Sequence, residues 1–281
     1  MDLPRVIGHR GAAAHAPENT IAGIRRAAAL GATWVEFDTK LTADDHCIVF
    51  HDDKLDRTTD GRGKVADTRY DDIRRLDAGS WFGGDFADEP IPRLDALLDT
   101  VARLGMHPDI EIKATPGRER ETAARVVDEA RATWPAERPP PLVTSFSDDS
   151  LSVARDLVPT WPRGLIAFDR PRDWIERLAR LESRLFVCRH DDITPAMVAE
   201  AEAISVQLAA FTVNEPARAM ALIGWGVSAI ISDRPAAIFA ALGDRSRGAT
   251  GLSGGDAYTD AESSVSGSMS VADTDKQGNE A

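Results

Sequence analysis

A chain of 281 residues can bury a sizeable core, as one large α/β domain or two small ones. Its hydrophobic and charged fractions, 43% and 28%, are those of an ordinary soluble protein, and a net charge of −13 with no basic stripe argues against a nucleic-acid partner. Cys47 and Cys188 form no close pair, no apolar run is long enough to span a bilayer, and the opening Met-Asp-Leu-Pro-Arg has no basic segment followed by an apolar one. These features predict a cytoplasmic chain with no disulfide framework and no stable membrane insertion.

The first strand and turn, Val6 to Thr20, read VIGHRGAAAHAPENT. Glycines here let the backbone turn sharply and approach a ligand. His9 moves protons near neutral pH and Arg10 grips phosphate with two prongs, so the pair at a strand exit points to phosphate-ester chemistry. A helix over Thr20–Leu30 follows, with Asn19 or Thr20 as its cap and Gly31 at its end. Trp34–Thr39 alternates as a strand, and Cys47–Phe50 is a second one, too close for an intervening helix.

Leu55–Pro92 is irregular and reads as an insertion or small subdomain. Leu94, Leu97, Leu98, Val101 and Leu104 mark an amphipathic helix ended by Gly105, followed by a strand at Pro108–Lys113 and a helix over Glu119–Thr133. A βα rhythm then runs to Leu242, with strands at Leu142–Ser145, Arg163–Ala167, Leu185–Cys188, Gln207–Val213 and Val227–Ser232. Such alternation implies a parallel sheet covered on both faces. Nine strand candidates exceed the eight places of a (β/α)₈ barrel, so one lies outside it, in the Trp34–His51 pair or at Leu185–Cys188. The competing open doubly wound sheet lacks a GxGxxG after its first strand. Residues 244–281 are poor in large apolar side chains and predict a disordered acidic tail beyond a domain of residues 1–243.

Glu36 and Asp38, two apart on a strand, point to one face, where they repel unless a cation sits between them. Oxygen ligands of this kind suit Mg²⁺ or Ca²⁺. Glu111 repeats the arrangement with Lys113 two residues on. His9 and His51 both end short apolar strands, which in a barrel places them at the C-terminal rim, where they can divide acid and base roles. Arg10 and Lys113 are the best phosphate ligands, and Arg57 reads as a structural salt bridge. Glu18 either supports His9 or Arg10 or favours the helix start by its charge, and Asn19 reads as a cap. Trp81 and Phe82 either wall a pocket or pack the insertion, and His15, His46, His107 and His190 read as structural.

Taken in order, GHRG…PENT, VEFDTKLTADD, FHDDKLDRTT, DAGSWF with IPRL, EIK, TSF, FTVN and SDRP resemble the glycerophosphodiester phosphodiesterase family over nearly all of Val6–Leu242. The resemblance implies a TIM-type (β/α)₈ barrel with a small insertion, residues 55–92, after the third strand. It implies one divalent cation, Mg²⁺ or Ca²⁺, on Glu36, Asp38 and Glu111, with His9 and His51 as the acid/base pair and Arg10 and Lys113 on the phosphate. The family hydrolyses small-molecule glycerophosphodiesters to glycerol 3-phosphate and an alcohol. Phe211 stands where the family usually has tryptophan in the wall of the substrate pocket, and Ser228-Ala229 stand where it usually has Asp-Gly. A lysophospholipase D and a non-catalytic phosphodiester-binding barrel are the alternatives on the same frame. The head group, the choice of ion and the oligomeric state stay open.

Overall fold

The computed structural model describes residues 1–243; the expected acidic tail, 244–281, lies outside the described residues. In chain order the strands are β1 (Val6–Gly8), β2 (Trp34–Leu41), β3 (Cys47–Val49), β4 (His107–Ile112), β5 (Leu142–Ser145), β6 (Arg163–Ala167), β7 (Leu185–Arg189), β8 (Gln207–Phe211) and β9 (Ala229–Ser232). All but β3 pair in parallel, and β1 bonds both β9 and β2, so eight strands close into a barrel. The helices are α1 (Ile21–Ala29), α2 (Tyr70–Ile73), α3 (Leu94–Arg103), α4 (Glu119–Thr133), α5 (Asp148–Leu157), α6 (Trp174–Arg180), α7 (Pro195–Ala203), α8 (Pro216–Trp225) and α9 (Pro235–Leu242).

The strands are buried nearly end to end because their two faces meet two cores. Val35, Phe37 and Ile110 pack outward against helix residues such as Leu97, Leu98 and Val126. Ile7, Leu142, Ile166, Val187, Ala209 and Ile231 fill the barrel interior. Glu36 and Asp38 alternate with Val35 and Phe37, so the barrel closes around carboxylates on the inner face. Helix ends follow local chemistry: the Thr20, Ser147 and Thr194 hydroxyls accept the N–H of Gly23, Ser150 and Met197. Gly226 and Gly243 close α8 and α9 in left-handed conformation.

The strand outside the barrel is β3, whereas Leu185–Arg189 is a full barrel strand. Thr39 pairs with Ile112 of β4, and beyond it Lys40 and Leu41 continue past that ladder, where β3 folds back antiparallel with Cys47 opposite Leu41 and Val49 opposite Thr39. Phe50 N–H then donates to the Asp38 carbonyl. His51 therefore reaches the level of Asp38 as the return of a hairpin rather than as the end of a barrel strand. The insertion that follows has its own core of Ile48, Phe50, Leu55, Val65, Ile73, Ala78 and Ile91. Trp81, Phe82 and Phe86 meet edge-on within it, and the Trp81 indole donates to the Ala78 carbonyl, while Trp81 stays 41% exposed.

Candidate active site

The carboxylates of Glu36 and Asp38 on β2 and Glu111 on β4 converge because Asp38 and Glu111 are register partners. One oxygen from each lies within 4.8 Å of the others, and all three residues are buried. Burial, then Asp38 and Glu111, pushes the Glu36 carboxyl well above the usual range. Glu36 Oε1 is buried without a hydrogen-bond partner. Burial also opposes the charge on Asp38, but Arg10, His51, Lys113 and the Asn19 amide overcome it and hold Asp38 well below its ordinary value. Asp109, one turn of the pleat below Glu111, accepts from Thr144 Oγ1 at 2.8 Å and is pushed up to about 8 by burial. An unpartnered buried oxygen within a set of hard oxygen donors fits a divalent cation such as Mg²⁺ or Ca²⁺.

Both histidines are held by aspartates. His9 Nδ1 lies 2.6 Å from Asp233 Oδ1, and its Nε2 lies 3.9 Å from Glu36 Oε2. Asp233 keeps its charge: burial raises it, but His9 and Asn214 bring it down to about 2. An ionised carboxylate only accepts, so His9 Nδ1 carries the proton and Nε2 is left toward the acidic site. Asn214 fixes the aspartate, donating from Nδ2 to Asp233 Oδ2 at 2.7 Å and accepting the Asp233 N–H at 2.9 Å. His51 Nδ1 lies 2.6 Å from Asp52 Oδ1 in the same manner.

The cations are already engaged. Arg10 has its backbone in the left-handed region, φ 48°, and its N–H donates to Glu36 Oε2 at 3.0 Å. Its guanidinium donates to Glu18 at 2.9 Å and stands 3.1 Å from Asp38. Lys113 Nζ lies 3.1 Å from Glu111 and 3.6 Å from Asp38. It also stands 5.2 Å from the centroid of Phe146, which packs against Phe168 and Phe211 at 4.7 and 6.2 Å. Phe211 is thus one side of an aromatic wall beside the lysine. Seven carboxyl groups (Glu18, Glu36, Asp38, Asp52, Asp109, Glu111 and Asp233) meet three side-chain cations (Arg10, Arg57 and Lys113). An anionic phosphodiester entering here needs further positive charge.

The residues singled out by sequence, His9, Arg10, Glu36, Asp38, His51, Glu111 and Lys113, all come together. Glu18 bonds Arg10, which supports the site rather than only the helix start. Asn19 is not the cap: it donates to Asp38 Oδ2 at 2.8 Å and accepts the Asp38 N–H at 3.1 Å, while Thr20 caps α1. Asp52, Asn214 and Asp233, which the sequence does not single out, join the cluster through His51 and His9. The adjacency of His51 and Asp52 was a readable signal. The Asn214–Asp233–His9 chain, spanning 224 positions, exists only once β1 and β9 pair.

The sequence model of the glycerophosphoryl diester phosphodiesterase family matches residues 9–237. A glycerophosphodiester phosphodiesterase of Caldanaerobacter subterraneus is 34% identical over 238 residues, covering 82% of this chain and 94% of that protein. One from Bacillus subtilis is 29% identical over 243 residues, covering 82% and 83%. Among solved structures, an Oleispira antarctica phosphodiesterase in complex with the product sn-glycerol-3-phosphate is 36% identical, with a TM-score of 0.84 over 86% of this chain and 97% of that one. The chain belongs to the glycerophosphoryl diester phosphodiesterase family.

Proposed function

We propose that this chain hydrolyses glycerophosphodiesters to glycerol 3-phosphate and an alcohol, using a divalent cation and the His9/His51 pair. The observation that carries this reading is the buried acid triad with a free Glu36 oxygen, set beside histidines that two aspartates orient. The product complex of the Oleispira antarctica relative supports the substrate class. Glu36, Asp38 and Glu111 would hold the cation. A bound Mg²⁺ or Ca²⁺ supplies the Lewis-acid charge that an anionic phosphodiester requires in an acidic site.

Lys113 and Arg10 place charge near the phosphoryl oxygens, and Glu18 and Asp38 fix the direction of the Arg10 fork. One imidazole takes the proton of the nucleophile, which is water or the neighbouring glycerol hydroxyl (the cyclic phosphate then being opened by water), and the other gives a proton to the departing alcohol oxygen. Asp233 and Asp52 hold each ring with Nδ1 protonated, so both transfers use Nε2.

The test is release of glycerol 3-phosphate from glycerophosphocholine and glycerophosphoethanolamine with Mg²⁺, Ca²⁺ or EDTA. EDTA and Glu36→Ala should abolish it. His9→Ala and His51→Ala should each lower kcat by about 10²–10⁴-fold with little change in KM. Release that persists in EDTA overturns the metal assignment, and near-normal turnover in either histidine variant overturns the acid/base pair.

A further inference from the structure

Arg57 belongs to the insertion, yet all its polar contacts reach back to the rim. Its Nε and Nη2 donate to Asp52 Oδ2 and Oδ1 at 2.7 and 2.9 Å. Its Nη1 and Nη2 donate to Glu18 Oε2 and Oε1 at 2.8 and 2.7 Å. Both acceptors serve a second partner: Asp52 Oδ1 holds His51 Nδ1 at 2.6 Å, and Glu18 Oε1 holds Arg10 Nη1 at 2.9 Å. One guanidinium therefore closes a chain running His51–Asp52–Arg57–Glu18–Arg10–Asp38.

The support for Arg57 is rigid. Leu55 is buried in the insertion core, its N–H donates to the Gly63 carbonyl, and its own carbonyl accepts from Thr59 Oγ1. Thr58 is buried as well. A short turn anchored at both ends thus presents the guanidinium to two carboxylates. Only a planar fork bonds two carboxylates bidentately; a lysine is a point charge. Without a cation between them, Glu18 and Asp52 repel, and each is free to turn from the group it orients.

We propose that Arg57 is a positioning residue for the hydrolytic reaction, locking His51 through Asp52 and Arg10 through Glu18, so that the insertion completes the active site. This rests on His51 acting as an acid or base. The ion pair is accordingly more than a strut for the insertion. Arg57 bonds Asp52 and Glu18, and acts through them on His51 and Arg10, the two groups the proposed reaction uses.

The experiment measures kcat and KM for glycerophosphocholine in the metal-loaded full chain for the wild type, Arg57→Ala, Arg57→Lys and His51→Ala, with melting temperatures for each. Arg57→Ala is expected to lose about 10–100-fold in kcat, the usual cost of losing a group that orients an active-site residue, with KM changed less than about threefold. Arg57→Lys should recover little of it. Because Arg57 is 40% exposed in its side chain, millimolar guanidinium should reach the gap and restore much of the Arg57→Ala rate, where sodium chloride at equal ionic strength should not. Wild-type kcat in Arg57→Ala or Arg57→Lys beside an inactive His51→Ala overturns the positioning role and leaves the proposed reaction standing. An active His51→Ala overturns that reaction scheme itself. A loss in Arg57→Ala that guanidinium leaves unmended, matched by a fall in melting temperature, makes Arg57 a strut and also overturns the proposal.

Discussion

Histidine is used in opposite ways at opposite ends of this barrel. His9 follows β1 and His51 follows the β3 return, and each meets an aspartate at 2.6 Å. His107 opens β4 at the other end, where its ring lies 4.1 Å from Trp34 and 5.8 Å from Trp134 by centroid, with Nε2 3.1 Å from the Pro140 carbonyl. Burial, aided by the Arg138 charge and only partly opposed by the Pro140 carbonyl, lowers its pKa to about 4. The unfolded chain then binds the proton more readily between about pH 6.5 and 4, so this group's contribution to stability is full above pH 6.5 and is lost as pH falls through that window. Allowing for partial solvent access, the loss is about 2–3 kcal/mol. Urea midpoints from pH 7 to pH 4 should fall less steeply in His107→Gln, which keeps a donor for Pro140. Parallel slopes in the two proteins would show that His107 is not held neutral.

The loop between β1 and α1 places the backbone of one element against another. Gly11, at φ 94°, lies where a β-carbon would sit 2.5 Å from the Gly23 carbonyl carbon in α1. Gly11→Ala should therefore cost about 3 kcal/mol or more, whereas Thr20→Ala, which removes only the α1 cap, should cost about 1 kcal/mol. Denaturant midpoints separate the two, and equal costs would mean that the loop yields around the methyl group. The βα units were legible because each strand is a short apolar run between turn residues, and α4, β5 and β6 begin and end where the sequence places them. The placing of β3 was legible only as one of two alternatives, because Cys47–Val49 reads as any buried strand and its antiparallel pairing with Thr39–Leu41 is what sets it outside the barrel. The site divides in the same way. Glu36, Asp38, Glu111 and Lys113 share faces by the two-residue period, which sequence displays. The Asn214–Asp233–His9 chain comes from barrel closure, and the Arg57 salt bridge, expected from sequence without its partners, finds Glu18 and Asp52 through the fold of the insertion.

At the scale of the whole molecule, the barrel encloses like charge at one end, within a chain of net charge −13. Glu36 is buried beside Asp38 and Glu111, and its carboxyl is raised by that burial and by them. Such an arrangement costs stability that a cation repays when it binds, so the site favours its ligand over the empty fold. Glu36→Gln keeps the shape and removes the carboxyl whose ionisation burial, Asp38 and Glu111 oppose. In EDTA it should melt higher than the wild type, by about 2–4 °C for each kcal/mol of repulsion relieved in a domain of this size. Saturating Mg²⁺ or Ca²⁺ should reverse the order, since a ligand at a hundred times its Kd stabilises the wild type by about 2.7 kcal/mol and a variant lacking one ligand oxygen by less. Thermal melts of both proteins with and without each ion read this directly. A wild-type melting temperature that neither ion moves would remove the triad as a cation site, and a Glu36→Gln protein that melts lower in EDTA would mean that Arg10 and Lys113 already neutralise the acids.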